Sequence, residues 1–172
     1  MCSRIYSITI RIGEIMRIGL DVGSTTLKCV VLDSRDNLVF HSYERHLSQI
    51  SEKTCLLLKQ IKEKFPEEQD FRICISGSAG MGLAEYYDIP FVQEVYATRI
   101  SISKIIPNAD IVIELGGEDA KILFLKNGMD VRMNGSCAGG TGAFIDQMAT
   151  LLNVSLVDLN EMAKDHNKIY TI

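Results

Sequence analysis

The chain has 172 residues, a formal net charge of -4, and a composition of 47% hydrophobic and 23% charged residues. A chain of this length can bury its own core as one domain or two small lobes, without disulfides or metals. The acidic balance and the absence of tryptophan argue against a nucleic-acid binder, which would need a basic face and aromatic stacking platforms.

The cysteine pattern favours a reducing compartment. The number of cysteines is odd, and their spacing is not typical of secreted proteins. The five are Cys2, Cys29, Cys55, Cys74 and Cys137. No apolar run reaches the length that spans a membrane, and the first residues lack the small-residue cleavage site of a signal peptide. We therefore expect a cytoplasmic protein that binds no membrane. Residues 1–15 are expected to be an N-terminal extension, either an upstream addition or an added edge strand.

The first part of the chain predicts a three-stranded antiparallel meander that is followed by helices and one buried strand. A glycine turn joins the first two strands, and the polar turn SRDN joins the second to the third. Ser51 is the predicted N-cap of the first helix, and GSAGMG is expected to form a small-residue loop near a cleft. The predicted elements are strands over 17–22, 27–33, 38–46 and 71–77, and helices over 51–64 and 95–106.

A second hairpin unit begins near residue 110. Its first two strands flank Gly116–Gly117, and Asn127–Gly128 predicts a tight turn before a third strand. Two helices follow, the second capped by Ser155. This order resembles the α/β, duplicated ribonuclease-H-like fold of the actin-like ATPases. We expect a first lobe over 16–109 and, over 110–172, the start of a second lobe that is truncated after KIYTI.

The motif DVGSTTLK (21–28) has the features of a phosphate-binding turn. Asp21 at a strand end suits a hydrated Mg²⁺, and Gly23 lets the backbone approach an anion. Lys28 lies on the returning strand, where it faces either the phosphates or solvent. A plain hairpin with a polar tip explains the motif as well. The candidate donors to phosphate oxygens are the hydroxyls and amides of Ser24, Thr25 and Thr26.

The motif ELGGEDAK (114–121) repeats this form about ninety residues later. Glu114 ends a strand as a candidate water-mediated Mg²⁺ ligand, and Gly116, Gly117 and Asp119 form the turn. Two such hairpins can face each other across a cleft and approach one triphosphate, which makes the pair more specific than either half. A P-loop and a Rossmann fingerprint are both absent from the sequence.

The third motif, NGSCAGGTGAFIDQMA (134–149), precedes a predicted helix. A helix N-terminus offers free amides to a phosphate, for which Gly139, Gly140 and Thr141 are candidates. The same position lowers the pKa of a nearby thiol and favours an anionic cluster, so Cys137 is a candidate metal ligand. An incidental thiol in a helix-capping loop is the competing interpretation, and the residues alone leave both open.

Glu94 and the histidines carry weaker signals. Glu94, at a helix start, is a candidate catalytic acid or base in the cleft, although acids are favoured at helix starts in any case. The three histidines are scattered among polar neighbours without metal-site spacing, so we expect surface positions for them: His41, His46 and His166.

Together the three motifs resemble the activators of 2-hydroxyacyl-CoA dehydratases, which form the BadF/BadG/BcrA/BcrD family with the ATP-binding subunits of benzoyl-CoA reductase. The resemblance covers residues 16–172 and is closest to the long CoA-substrate-specific activases. It implies a homodimer that binds ATP and Mg²⁺ and holds one 4Fe–4S cluster between its subunits through two cysteines from each. Such a protein is recharged by a ferredoxin or flavodoxin and passes an electron to the dehydratase or reductase, under anaerobic conditions.

On this resemblance, Cys137 matches the first cluster cysteine and the two glycine hairpins match the two phosphate loops. Glu114 departs from the aspartate that is frequent there in shorter relatives, and Glu118 from glutamine. The second cluster cysteine and the adenosine-binding segment have no counterpart in the sequence. The chain alone is therefore expected to show weak or no ATPase activity.

Two other functions account for part of the sequence. A sugar-type kinase of the same superfamily explains both phosphate loops but leaves Cys137 without a role. A non-catalytic lobe that only docks a partner is the second. Loss of iron on replacing Cys137 distinguishes an activator from the kinase, and nucleotide titration distinguishes it from the docking lobe.

Overall fold

The computed structural model describes residues 15–68, 70–126, 128–133 and 141–169. These residues form two sheets and five helices. The elements, in chain order, are β1 (Met16–Val22), β2 (Thr26–Leu32), β3 (Leu38–Arg45), α1 (Ile50–Lys64), β4 (Phe71–Ser76), α2 (Met81–Tyr87), α3 (Glu94–Ile105), β5 (Ile111–Leu115), β6 (Ala120–Phe124), β7 (Asp130–Met133), α4 (Gly142–Leu152) and α5 (Leu156–Lys164).

The first sheet has the strand order β3-β2-β1-β4, which confirms the predicted meander. β1 and β2 are antiparallel, as are β2 and β3, whereas β4 runs parallel to β1. The parallel pairing sets Ser76 opposite Asp21, so the ends of two central strands open on the same edge. Alternate apolar side chains on one face of the strands pack with α1 as the core: Ile18, Leu20, Val22, Leu27, Cys29, Val31, Leu57 and Ile61.

The second sheet is an antiparallel meander of β5, β6 and β7. Its first turn is the predicted Gly116–Gly117 hairpin, in which Leu115 pairs with Ala120. Asn127, from the second predicted turn, lies outside the described residues. The lobe boundaries proposed from sequence stay a prediction, as does the character of residues 1–15, of which only Ile15 is described.

The helix starts differ from the sequence prediction in two places. α1 begins at Ile50 with Gln49 as its N-cap, so the prediction of Ser51 as cap was wrong. GSAGMG was expected to be a loop, but α2 begins within it, because Gly80 fits tightly beneath Ile75 and lets the chain turn directly into a helix. The cap at Ser155 is confirmed: its hydroxyl accepts a hydrogen bond from the Asp158 amide at 3.1 Å.

Cys29 is buried in the core of the first sheet. Burial raises the pKa of its thiol to about 12, which keeps it protonated and unsuited to binding iron. Cys55 and Cys74 are partly buried, and Cys137 lies outside the described residues. Within the part of the chain that the structure describes, no helix is both long and apolar enough to cross a bilayer.

Candidate functional site

The tips of the two glycine hairpins meet. A β-carbon built on Gly117 would lie 2.5 Å from the Oγ1 atom of Thr25 and 3.2 Å from the Oγ atom of Ser24. Only a residue without a side chain permits this approach. Both hairpins line one cavity of about 770 Å³. The structure therefore brings together the two motifs that the sequence placed about ninety residues apart.

The first hairpin presents a paired carboxylate to this cavity. Asp21 and Lys28 are cross-strand partners, and the Nζ atom of Lys28 donates to Oδ2 of Asp21 at 2.8 Å. The second oxygen of this carboxylate, Oδ1, is buried and has no hydrogen-bond partner among the described residues. The turn itself is closed by a bond from the amide of Gly23 to the carbonyl of Thr26 at 2.9 Å.

The second hairpin is anchored to the start of α4. The amides of Gly142 and Ala143 donate to the carbonyls of Gly116 and Gly117 at 2.8 and 2.9 Å. The first two amides of α4 therefore hold the hairpin and are not available to a phosphate. Thr141, the N-cap of α4, is fully buried and does not line the cavity.

The predicted site residues thus fall into three groups. The first group lines the cavity: Asp21, Thr25, Thr26, Lys28, Glu94, Glu114, Gly116 and Gly117. A second group lies in or beside the turns without lining it: Gly23, Ser24, Asp119 and Thr141. The third group lies outside the described residues: Cys137, Gly139 and Gly140.

A buried lysine that the sequence analysis did not single out joins two of the predicted acids. The Nζ atom of Lys121 lies 2.8 Å from Oε2 of Glu94 and 3.5 Å from Oε1 of Glu114. Its side chain is 8% exposed, so the two carboxylates supply its charge compensation. The other oxygen of Glu114, Oε2, is buried without a hydrogen-bond partner in the described part of the chain.

The three charges shift one another's pKa in different directions. Burial favours protonation of Glu94, but its hydrogen bonds to Lys121 and Glu114 and the positive charges of Lys121 and Lys28 together outweigh burial and lower its pKa. Burial and the neighbouring Glu94 together raise the pKa of Glu114. Burial disfavours the charge of Lys121, but the hydrogen bond to Glu94 and the two negative charges raise its pKa overall. Glu94 and Lys121 therefore form the ion pair, and Glu114 is the acid that most readily keeps a proton.

The raised pKa of Glu114 predicts the effect of Glu114→Gln on stability. A carboxyl whose pKa is raised in the folded state stabilises that state while protonated, and the contribution is lost as pH rises through the folded pKa. The glutamine amide keeps a hydrogen-bond donor toward Glu94 at every pH. We expect the variant to be more stable than the parent by about 1 kcal/mol at pH 8, with the advantage vanishing toward pH 4.5. Urea unfolding at a series of pH values measures this.

Glu118→Gln is the matched control, because Glu118 lies on the same hairpin but is exposed. Its effect on the free energy of unfolding should be small at each pH of the series, because its side chain is exposed. A difference between the Glu114 variant and the parent that stays constant from pH 5 to 8 would contradict the raised pKa of Glu114.

The sheet order, the two glycine hairpins and their shared cavity define the class of the protein: it has the ribonuclease-H-like fold of the actin-like ATPases. Comparison with known proteins agrees with that class. The model of the BadF/BadG/BcrA/BcrD ATPase family matches residues 18–169. The chain belongs to this family.

Two relatives illustrate the similarity. The (R)-2-hydroxyglutaryl-CoA dehydratase activating ATPase of Acidaminococcus fermentans is 30% identical over 157 residues, which cover 90% of this chain and 60% of that protein. The 2-hydroxyisocaproyl-CoA dehydratase activator of Clostridioides difficile is 30% identical over 159 residues, covering 84% and 55%. The chain thus spans less than two thirds of the length of these curated relatives.

Solved structures of such activators share the fold. The crystal structure of the Acidaminococcus fermentans (R)-2-hydroxyglutaryl-CoA dehydratase component A superposes with a TM-score of 0.73 at 30% identity, covering 92% of this chain and 62% of that one. The activator of the 2-hydroxyisocaproyl-CoA dehydratase from Clostridium difficile with bound ADPNP gives a TM-score of 0.75 at 25% identity, covering 92% and 60%.

Proposed function

We propose that the two hairpins hold the phosphates of ATP. The observation that carries this proposal is the contact of Gly117 with Thr25 on a shared cavity. Glycine and hydroxyl residues at two facing tips bring backbone amides and hydroxyl donors to one polyphosphate. The ADPNP bound to the Clostridium difficile activator supports the same use of the fold.

The carboxylates of the cavity fit a magnesium ion that accompanies the nucleotide. Two of the buried oxygens that lack a hydrogen-bond partner among the described residues, Oδ1 of Asp21 and Oε2 of Glu114, belong to residues that line this cavity. No group of three metal-binding side chains occurs in the described part of the chain. Mg²⁺ suits such a site because it keeps several waters and takes one or two carboxylates beside the phosphates. When bound, it would offset the negative charge of the phosphates.

Glu94 and Glu114 have different proposed roles toward the attacking water. Glu94 stays ionised beside Lys121, and its lowered pKa makes it a better acceptor for orienting a water than for removing a proton. Glu114 has the raised pKa and accepts a proton more readily. The proposed catalytic role of Glu94 is therefore to position the attacking water through a hydrogen bond.

In the whole protein, we infer that ATP drives electron transfer from a 4Fe–4S cluster to a 2-hydroxyacyl-CoA dehydratase-type enzyme. The names of the relatives and the family support this activator role. Cys137 is the proposed cluster ligand. It lies four positions before Thr141, the N-cap of α4, and α4 is hydrogen-bonded to the second hairpin. A phosphate that shifts the Gly116–Gly117 tip therefore also shifts the helix that follows the thiol.

The proposed partners follow from the same role. The cluster is completed in a homodimer by a second cysteine from each subunit, and a ferredoxin or flavodoxin reduces it. The acceptor is a dehydratase or reductase that acts on an acyl-CoA.

Titration of the chain tests the nucleotide site. Isothermal titration calorimetry with Mg–ADPNP and with Mg–tripolyphosphate should show that the two ligands compete for one site, because all the proposed contacts are to the phosphates. A chain that binds neither ligand would overturn the proposal. Turnover of ATP is expected in the full-length gene product and not in the 172-residue chain.

Replacing the proposed cluster ligand tests the activator role. In the full-length gene product, purified and reconstituted without oxygen, Cys137→Ala should lose most of its iron and the electron-transfer activity while still binding Mg–ADPNP. Iron content and the electron paramagnetic resonance signal of the reduced protein measure the cluster. Cys55→Ala is the matched control, since Cys55 lies on α1 in the first lobe, and it should keep its iron. Full iron in the Cys137 variant would favour a kinase.

A further inference from the structure

His46 lies behind the first phosphate hairpin. It follows β3, and its side chain is 3% exposed, so the expectation of a surface histidine was wrong. Its Nε2 atom lies 3.0 Å from the carbonyl oxygen of Gly23. The amide of Ser48 donates to its Nδ1 atom at 3.1 Å. Both ring nitrogens are therefore engaged.

These two contacts fix the tautomer of the ring. The amide of Ser48 is a donor, so Nδ1 must be the unprotonated acceptor. The carbonyl of Gly23 is an acceptor, so Nε2 must carry the hydrogen and donate it. The Nε2–H tautomer satisfies both partners. In the other tautomer the hydrogen on Nδ1 would face the hydrogen of the Ser48 amide, and the lone pair of Nε2 would face the Gly23 carbonyl oxygen.

Three carbonyls at the tip of the first hairpin accept hydrogen bonds from residues outside the hairpin. The Val22 carbonyl accepts from the amide of Ala79 at 3.0 Å, and the Thr25 carbonyl accepts from the amide of His46 at 3.3 Å. The Gly23 carbonyl lies between them and accepts from the imidazole. Carbonyl oxygens repel phosphate oxygens, so a hairpin that binds an anion must turn them away from it. Of the three donors, only the imidazole belongs to a side chain.

Ser24 does not line the cavity itself, but its Oγ atom lies 3.2 Å from a β-carbon built on Gly117, and both Gly117 and the neighbouring Thr25 line it. We propose that His46 is a positioning residue that fixes the Gly23–Ser24 peptide so that its amide faces the triphosphate of the nucleotide at this edge of the cavity. The described chain has no cis peptide bonds, and in a trans peptide the carbonyl and the following amide point in opposite directions. Binding the Gly23 carbonyl to His46 therefore turns the Ser24 amide to the opposite side. The inference rests on the proposed nucleotide site and adds a residue to it.

Two substitutions separate the two nitrogens of the ring. In glutamine the side-chain amide nitrogen is as many bonds from the β-carbon as Nε2 is, so His46→Gln keeps a donor for Gly23 and loses the acceptor for Ser48. In asparagine the amide oxygen corresponds to Nδ1, so His46→Asn keeps the acceptor and loses the donor. Each variant loses one of two hydrogen bonds, and their urea midpoints should fall by comparable amounts.

Affinity for Mg–tripolyphosphate, measured by calorimetry on the 172-residue chain, distinguishes the variants. We expect His46→Gln to bind within about threefold of the parent and His46→Asn to bind about tenfold more weakly, since only the latter frees the Gly23 carbonyl. Long-range ¹H–¹⁵N spectra of the parent should show the Nε2–H tautomer. Equal binding by both variants, or the Nδ1–H tautomer in the parent, would overturn the inference while the nucleotide site stands. Failure of the parent to bind would overturn the proposed function itself.

Discussion

Gly117→Ala is expected to separate the two phosphate hairpins and to lower ATP turnover by about a hundredfold in the full-length gene product. The added β-carbon would lie 2.5 Å from Oγ1 and 3.0 Å from Cγ2 of Thr25. Rotation about χ1 of Thr25 places its hydrogen in only one of these two positions, so Oγ1 or Cγ2 stays close to the added carbon, and Oγ of Ser24 lies 3.2 Å away. The hairpin tips must therefore move apart or lose the present position of the Thr25 hydroxyl, and a misplacement of roughly 1 Å costs on the order of 100-fold in rate.

The same substitution should weaken binding of Mg–ADPNP at least about tenfold with little change in stability, because the contact lies at the hairpin tips and outside the hydrophobic core of the first sheet. Calorimetry and steady-state ATPase assays measure the two effects. Gly82→Ala is the matched control: this glycine lies in α2, and a β-carbon there meets no atom within 4 Å. Parental affinity and turnover in the Gly117 variant would show that the tips do not act together on the phosphates.

The frame of the site could be predicted from sequence because it depends on local patterns. An acid at a strand end followed by glycine and hydroxyl residues predicts a tight turn, and the alternation of apolar residues around it predicts the strands. The two hairpins formed as predicted, with Asp21 opposite Lys28 and Glu114 opposite Lys121. The pairing of Glu114 with Lys121 was not predicted, although it could have been. Counting outward from the Gly116–Gly117 turn along both strands places the lysine opposite the acid.

Other features depend on how the chain folds back over longer distances. His46 is buried because the following Leu47 and Ser48 adopt positive φ angles of 49° and 63°, which turn the chain beneath the first hairpin. Neither residue type favours that conformation, so the sequence carries no signal for it. The ion pair of Arg45 with Asp146 links β3 to α4 across about a hundred residues, and no local pattern predicts such a contact.

Gly77→Ala is expected to have the largest effect on stability, a loss of about 3 kcal/mol in the free energy of unfolding. Gly77 follows β4 with a φ angle of 94°, a conformation that costs other residues on the order of 1–3 kcal/mol. A β-carbon there would also lie 2.3 Å from the carbonyl oxygen of Val22 and 2.5 Å from Oδ1 of Asp21. The end of β1, which carries the proposed Mg²⁺ ligand, must then shift.

Gly128→Ala separates the two causes of that loss. Gly128 has a φ angle of 110°, but a β-carbon there meets nothing within 4 Å, so this variant carries the backbone strain alone. We expect it to lose about 1 kcal/mol and to bind Mg–tripolyphosphate like the parent. The Gly77 variant should lose both more stability and most of its affinity, because the displaced carboxylate is part of the cavity. Equal losses of stability in urea unfolding of the two variants would mean that Gly77 does not hold Asp21 in place.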